Sequence, residues 1–193
     1  QLNAEVLVVD GGSTDGTQAS VRAYGHPVRL VESDARRGLA GDILRGAEAA
    51  CADVVLVMDA DLSHPPEAIP SLVRPVLAGT HDLTIGSRHV KGGQMPGWPW
   101  TRRLTSKVAT ALAWPLTSVR DPMSGFFAVR RELMLELGQE AAGFKIAMEI
   151  MVRGDDTLRT LEVPITFRDR VRGESKLGFK ETFAYLNQIF VLA

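Results

Sequence analysis

Short apolar runs of strand length alternate with longer, mixed segments over the first half of the chain. The runs VLVV, VRLVE, VVLVM and DLTIGSR predict four strands, and the segments between them place apolar residues at helical spacing. VVLVM, residues 54–58, is apolar at every position, which is typical of a buried parallel strand. The alternation predicts an α/β fold with a mostly parallel sheet flanked by helices.

The second half of the chain continues this pattern less regularly. It predicts helices over 101–116, ELMLELG, FKIAMEIMVR and 180–192, a strand at GFFAVRR, and an extended segment at LRTLEVPITFRDR. The Gly-, Pro- and Trp-rich segment at 90–100 is long enough to predict a functional lid. Near the start of the chain, the spacing of Asp15 and Gln18 predicts a capping box on the first helix.

Composition narrows the class of protein. The 193 residues suit one domain, 1–193, and 45% hydrophobic with 23% charged residues is ordinary globular composition. A net charge of -1 argues against a partner nucleic acid, which usually requires a basic excess. The single cysteine, Cys51, excludes an internal disulfide and favours a reducing setting such as the cytosol.

Acidic residues follow two of the predicted strands. Asp10 follows VLVV, and Asp59 and Asp61 follow VVLVM. Ligands of parallel α/β sheets lie beyond the carboxyl ends of the strands. Residues i and i+2 of a strand point the same way, so Asp59 and Asp61 can converge on one Mg²⁺ or Mn²⁺ ion. An acidic surface turn, in which Asp61 caps the next helix, is the alternative, and the pair alone does not exclude it.

Five segments resemble one enzyme family, in order, over nearly the whole chain. VVDGGSTDGT resembles the VVDDGSxDGT element of inverting family 2 glycosyltransferases, which have the GT-A fold. MDADLSHPPE resembles the metal-binding segment of their dolichol- and polyprenol-phosphate mannosyltransferase subfamily. GSRHVKGG, DPMSGFFAVRRE and VPITFRDRVRGESKL are similar to the same subfamily. One departure is Gly11, which stands where the family has a second aspartate near the nucleotide base and ribose.

The resemblance implies a role for each matching residue. The ion, Mg²⁺ or Mn²⁺, would be held by Asp59 and Asp61 and would bridge the two donor phosphates. Ser63 and His64 are not expected to be ligands. The residues expected to bind the donor are Asp10, Asp15, Asp59, Arg170 and Lys176. Those expected to bind the acceptor phosphate are Arg88, Arg102, Ser106 and Ser124. The catalytic group is expected to be Asp61, Arg88 and Asp121, with Glu149 as a further sugar or acceptor contact.

The activity that the resemblance implies is transfer of mannose from GDP-mannose to polyprenyl or dolichyl phosphate, with inversion to a β-linked product. The acceptor phosphate is already anionic, so it needs cations that hold it in line rather than a general base. The alternatives are a different donor, such as UDP-glucose, or a non-catalytic GT-A remnant that acts as a scaffold. Gly11 favours the remnant, and the intact acidic pair opposes it.

A membrane surface is a further expected partner, at its cytoplasmic face. Trp98 and Trp100 suit the membrane boundary or, equally, core packing, and Arg103 and Lys107 suit a solvated or membrane-facing helix. Fused or partner transmembrane segments are also expected. Because relatives begin with one more strand, between VLVV and VVLVM in the sheet, we expect a longer natural protein. We expect the chain alone to melt at low temperature and to bind donor negligibly.

Overall fold

The computed structural model describes residues 3–33, 38–138, 145–154, 157–169 and 179–192. The strands are β1 Val6–Asp10, β2 Val28–Glu32, β3 Val54–Val57, β4 Leu83–Ser87, β5 Phe127–Arg130 and β6 Thr160–Pro164. The helices are α1 Thr17–Tyr24, α2 Gly38–Ala49, α3 Ile69–Leu77, α4 Trp100–Ala113, α5 Arg131–Leu137, α6 Ile146–Arg153 and α7 Phe179–Leu192. This order agrees with the α/β alternation predicted from the sequence.

The strands form two sheets in the described part of the chain. β1 and β2 are parallel, and the second sheet has the order β3-β5-β4-β6. β4 and β6 are parallel, but β5 is antiparallel to both of its neighbours. The prediction that 54–58 is a buried parallel strand was therefore wrong in its pairing, because β5 returns between β3 and β4 in the opposite direction. β3 is also only half-buried.

The four-stranded sheet has a helical layer on each face. Along β5, Phe127 and Val129 face one cluster, which includes buried residues of α5 and α6. Ala128 faces the other cluster, with Leu72 of α3. Because both faces of β5 are covered, a continuous apolar run is what this position requires. Each fully buried large side chain stabilises the fold by about 1.5–3 kcal/mol.

Helix α2 packs on β1 and on α5, the helix that follows β5. A Cβ on Gly46 would lie 2.8 Å from Cγ2 of Val9, so the absence of a side chain lets α2 approach β1 closely. On its other side, Nε of Arg131 donates a 2.7 Å hydrogen bond to the carbonyl of Ala47. α2 thereby holds the end of β1 in a fixed place relative to β5 and α5.

The start of α1 differs from the predicted capping box. Gly16 is the N-cap residue, with a left-handed φ of 86°, and no side chain caps the helix. Asp15 instead accepts a hydrogen bond from the backbone N–H of Thr17 (3.1 Å). Gln18 turns away and donates to the carboxylate of Asp10 (2.7 Å). The prediction was wrong because Asp10 offers Gln18 a stronger acceptor than the helix start does.

Candidate active site

Asp59 and Asp61, the acidic pair, lie in a tight turn at the carboxyl end of β3. We call residues 59–64 the acidic turn. The N–H of Ser63 donates to Oδ1 of Asp61 (3.0 Å), and Leu62 has a left-handed φ of 63°, which is rare for a residue with a side chain. His64 closes the turn, because its Nδ1 accepts a hydrogen bond from the N–H of Asp59 (3.0 Å). Asp59 is exposed, so its carboxylate is accessible to an ion.

His64 is buried and stacks on Phe126, with ring centroids 4.9 Å apart. Burial lowers the pKa of His64, although Asp59 and Asp61 act in the opposite direction. A neutral ring whose Nδ1 accepts a hydrogen bond is a structural part of the turn. The expectation that His64 is not an ion ligand stays a prediction.

The oxygens of this turn suit a hard divalent cation. Asp59 and Asp61 supply carboxylates, and Oγ of Ser63 is buried with no hydrogen-bond partner among the described residues. The same residues contain no group of three or more His, Cys, Asp or Glu side chains that could hold a metal. The pair therefore fits an ion that takes most of its remaining ligands from substrate phosphates and water, as Mg²⁺ and Mn²⁺ do.

The DPMSG loop, residues 121–125, lies directly beside the acidic turn. A Cβ on Gly125 would lie 3.9 Å from both carboxylate oxygens of Asp59 and 3.8 Å from Cε1 of His64. These are ordinary van der Waals distances, so the loop backbone lies close to Asp59 and His64. The structure therefore brings together the β3 end and the least generic segment of the sequence.

Arg88, at the carboxyl end of β4, is fixed by Asp121. Its Nε and Nη2 donate to the two carboxylate oxygens (2.8 and 2.7 Å), and its backbone N–H donates a third bond of 2.8 Å. Burial alone would raise the pKa of Asp121, but the hydrogen bonds and charge of Arg88 outweigh burial and lower it. Two of the five guanidinium N–H groups are used in this way, so the same group retains donors for an anion.

Two predicted site residues have a different role in the structure. Asp121 is fully buried and its oxygens are occupied by Arg88, so it holds Arg88 rather than meeting a sugar hydroxyl. Ser124 was expected to bind the acceptor phosphate, but its hydroxyl donates to the carbonyl of Gly86 (2.7 Å). A hydroxyl has one proton to donate, so Ser124 anchors the loop to β4 instead.

Arg102 and Arg88 both contact the aromatic ring of Trp98. The guanidinium carbon of Arg102 is 3.9 Å from the centroid of Trp98, and that of Arg88 is 5.7 Å from the same centroid. Trp98 is 8% exposed, so of its two expected roles the structure shows core packing, whereas Trp100 is exposed. Both arginines are within the range of favourable cation–π contact. Trp98, within the 90–100 segment, thus contacts both arginines.

The partner of Arg102 is a residue that the sequence did not single out. Arg102 forms an ion pair with Asp169, which directly precedes the undescribed segment 170–178. On the next turn of α4, Oγ of Ser106 lies 3.5 Å from Nε2 of His89. Arg102 and Ser106 therefore lie close to the end of β4, and their contact with the acceptor phosphate stays a prediction. Arg170 and Lys176 lie outside the described residues.

Lys145 is a second residue that the sequence analysis missed. Its Nζ donates a 3.0 Å hydrogen bond to the carbonyl of Met123 in the DPMSG loop. Burial lowers the pKa of Lys145 to about 8, with Arg88 acting in the same direction and Asp59 and Asp121 opposing it. A lysine immediately before an apolar helix was the available signal. Its charge belongs to the same cluster as the acidic pair.

Asp10 closes its own loop at the end of β1. It accepts hydrogen bonds from the hydroxyl of Ser13, from Gln18 Nε2 (2.7 Å) and from the N–H groups of Ser13 (3.0 Å) and Gly12 (3.2 Å). The Ser13 hydroxyl is the main reason that the pKa of Asp10 falls to about 2. For Asp15, which is exposed, the Thr17 hydroxyl lowers the pKa. Asp10 therefore shapes the loop in this structure.

Glu149 is buried for a structural reason. It accepts hydrogen bonds from Gln188 of α7 (2.9 Å) and from Arg153 (3.3 Å). Gln188 also reaches the carbonyl of Lys145 (3.3 Å). The expectation that Glu149 contacts sugar or acceptor is not what the structure shows, since its oxygens tie α7 to α6.

Residues 1–138 match the family described as glycosyl transferase family 2. The chain belongs to this family. Dolichol-phosphate mannosyltransferases are similar over nearly all of it. That of Pyrococcus furiosus is 44% identical over 99% of this chain and 55% of its own length. That of Mycosarcoma maydis is 40% identical over 98% and 67%, and that of Saccharomyces cerevisiae 37% over 96% and 73%. The chain thus spans about half the length of the Pyrococcus relative.

Similar solved structures confirm the fold. Glucosyl-3-phosphoglycerate synthase from Mycobacterium tuberculosis, in complex with Mn²⁺, UDP and glucosyl-3-phosphoglycerate, is 25% identical with a TM-score of 0.70. The likeness covers 97% of this chain and 67% of that one. Its complex with Mn²⁺, UDP-glucose and glycerol 3-phosphate has a TM-score of 0.68 at 25% identity, over 96% of this chain and 66% of that one. The predicted GT-A-like α/β fold is confirmed.

Proposed function

We propose that this family 2 domain transfers mannose from GDP-mannose to polyprenyl or dolichyl phosphate and inverts the sugar to a β-linked product. The observation that carries the proposal is the meeting of two parts at one place. The acidic turn of β3 suits a donor diphosphate with its ion, and the DPMSG loop beside it fixes Arg88 for an acceptor phosphate. The dolichol-phosphate mannosyltransferases that this chain resembles support the choice of sugar and lipid.

Asp59 and Asp61 are the residues that would hold the divalent ion, with Ser63 Oγ next to them. Bound there, the ion would neutralise the diphosphate as it leaves. The Mn²⁺ complexes of the tuberculosis synthase support a divalent ion of this kind. Mg²⁺ suits the same oxygens, so both ions belong in the assay.

The acceptor side of the site has to orient an anion. A lipid phosphate is ionised near neutral pH, so its oxygen can attack the anomeric carbon without a general base. Arg88, fixed by Asp121, would hold that phosphate, and Arg102 with Ser106 would complete its site. When phosphate enters, Arg102 exchanges Asp169 for it. Lys145 adds positive charge on the side of the DPMSG loop. Orientation and charge of this kind supply the catalysis that a base would otherwise give.

We also propose that α4 lies on the surface of the membrane that holds the lipid, at its cytoplasmic face. Every fourth residue of α4 is apolar and exposed, namely Trp100, Leu104, Val108 and Leu112. The basic residues Arg103 and Lys107 are exposed beside them. An apolar stripe next to basic residues suits anionic lipid. None of the described helices is both long and apolar enough to cross a bilayer.

Leu104→Gln should weaken co-sedimentation with anionic vesicles severalfold. The matched control is Leu77→Gln, which changes an exposed leucine of α3 and should not weaken it. Equal binding by both variants would refute the surface role.

UDP-glucose is the second candidate donor. The tuberculosis synthase, whose fold is similar, was crystallised with UDP-glucose and Mn²⁺. The acidic turn would suit either diphosphate, because an ion held there would contact the phosphates and not the base. A donor comparison therefore has to decide.

The test is a transfer assay that uses the full-length protein, radiolabelled GDP-mannose or UDP-glucose and a short polyprenyl phosphate, in Mn²⁺, Mg²⁺ or EDTA. We expect lipid-linked mannose from GDP-mannose with either metal and none with EDTA. The matched variants are Asp59→Asn, which should abolish transfer, and Asp53→Asn, which changes an exposed aspartate before the same strand and should not. Transfer that survives EDTA, or a scaffold-like absence of both transfer and metal-linked GDP binding, would overturn the proposal.

A further inference from the structure

Asp42 of α2 occupies the space beside Gly11, at the end of β1. A Cβ on Gly11 would lie 3.0 Å from Oδ2 of Asp42, 3.7 Å from its Cγ and 3.8 Å from its Oδ1. The carboxylate of Asp42 therefore fills the place where a side chain at position 11 would begin. Gly11 directly follows Asp10, so this carboxylate stands at the carboxyl end of a parallel strand, where ligands of such sheets lie.

The packing of α2 on β1 places Asp42 there. Gly46 contacts Val9 closely, and Asp42 is four residues earlier, on the same face of the helix. Since Gly46 fixes the distance between helix and strand, the position of Asp42 at the strand end is also fixed. A chance orientation of a mobile surface side chain would not have this support.

One oxygen of Asp42 lacks the partner that its burial requires. Oδ1 is shielded from solvent and has no hydrogen-bond partner among the described residues. Buried polar atoms in folded proteins are nearly always paired, and one that is not calls for a missing donor. A carboxylate accepts hydrogen bonds only, so the missing group must carry O–H or N–H.

We infer that Asp42 is a donor-binding residue that accepts hydrogen bonds from the nucleoside of the sugar nucleotide, through a ribose hydroxyl or a base N–H. The inference rests on the proposed function, which supplies a nucleoside diphosphate at this edge. It also accounts for Gly11. Two carboxylates in this space would repel each other, so an acid at position 42 requires a small neutral residue at position 11.

The test is isothermal titration of the full-length protein with GDP, 2′-deoxy-GDP and UDP in the presence of Mn²⁺. Asp42→Ala should weaken GDP binding about tenfold or more, the range for a lost hydrogen bond to a charged group. Asp42→Asn should weaken it less. The matched control is Glu48→Ala, which removes an exposed acid from the same helix and should leave binding unchanged. If the ribose 2′-hydroxyl is the contact, the loss should shrink with 2′-deoxy-GDP. If the base is, it should differ between GDP and UDP.

Moving the carboxylate from position 42 to position 11 makes the test sharper. Gly11 does not have a left-handed backbone, so an aspartate is sterically possible there once Asp42 is shortened. Gly11→Asp alone should lose binding through repulsion, and Gly11→Asp with Asp42→Ala should regain most of it. Thermal midpoints of all variants separate misfolding from lost binding.

The outcomes distinguish the inference from the proposed function. If the unaltered protein binds GDP and Asp42→Ala binds it equally well, the inference is wrong and the proposed function stands. A double variant no better than Gly11→Asp alone has the same meaning. If the unaltered protein binds no nucleoside diphosphate with Mn²⁺, both fall.

Discussion

The two ends of β4 carry the same arginine–aspartate arrangement in different surroundings. At the amino end, Asp82 accepts bonds from Nε, Nη2 and the backbone N–H of Arg159 (2.9, 2.8 and 3.1 Å). At the carboxyl end, Asp121 accepts the same three kinds of bond from Arg88. Both aspartates are buried, but the side chain of Arg159 is 55% exposed and that of Arg88 only 11%.

The difference shows which pair belongs to a site. Arg159 can exchange its bonds with water, so its pair fastens β4 to β6 at modest benefit. Arg88 is desolvated and packs on Trp98 and Phe167. Its guanidinium group therefore has a fixed orientation, and its attraction for an anion is stronger than it would be in water. The same hydrogen-bond pattern thus serves as a fastening at one end and as a prepared anion site at the other.

Replacing each arginine is the strongest way to break the comparison. Arg88→Met leaves the buried charge of Asp121 uncompensated and should cost about 3–5 kcal/mol of unfolding free energy. Arg159→Met should cost about 1 kcal/mol, since water and Arg130 still serve Asp82. Urea denaturation measures both. Equal losses would mean that exposure does not separate the two pairs.

Ser124→Ala tests the corrected role of that residue at the carboxyl end. The loss of its buried hydrogen bond to Gly86 should cost about 1–2 kcal/mol of unfolding free energy. The KM for polyprenyl phosphate should stay within about twofold once folded protein is compared. A stable variant with a raised acceptor KM would restore the direct phosphate contact that the sequence predicted.

Arg102→Met asks whether the less buried arginine beside Trp98 also receives the acceptor. Its partner Asp169 is 49% exposed, so stability should change by less than about 0.5 kcal/mol. The KM for polyprenyl phosphate should rise about tenfold, as expected for a lost charged contact. Asp169→Asn, which frees Arg102, should move that KM in the other direction. Steady-state kinetics at saturating GDP-mannose would reveal either failure.

Acid titration isolates the amino end. The hydrogen bond from Arg159 is the main cause that lowers the pKa of Asp82 from 3.8 to about 2. The pair therefore stabilises the fold above about pH 4, and this benefit disappears as the pH falls towards 2. Asp82→Asn should be less stable by about 1 kcal/mol at pH 5, after allowance for screening at the exposed arginine, and nearly equal at pH 2. A difference that persists at pH 2 would place the effect elsewhere.

The sequence predicted the features that depend on local pattern. The strands, most helices and the acidic turn at Asp59 and Asp61 follow from apolar runs and neighbouring polar residues. The capping box failed because a residue eight positions away, Asp10, attracted Gln18. The antiparallel course of β5 depends on the irregular connection after α4, which has no periodicity to reveal it.

The sequence was least informative about polar groups whose hydrogen-bond partners lie far away along the chain. Ser124 bonds Gly86, 38 positions away, and Glu149 bonds Gln188, 39 positions away. Apolar neighbours in the sequence indicate that a hydroxyl or carboxylate is buried. They do not indicate which group it hydrogen-bonds. Lys145 and Asp42 were missed for the same reason, since both act through contacts that only the packed helices create.

The central claim is that an acceptor phosphate held by Arg88 and Arg102 displaces the nucleotide in one step. The direct test is the anomeric configuration of the lipid-linked product, measured by the one-bond carbon–hydrogen coupling of its anomeric centre after reaction with GDP-[¹³C]mannose. A single displacement predicts a β-linked mannosyl phosphate. An α-linked product would mean retention, by two displacements or by attack on the same face as the leaving group, and would contradict the account.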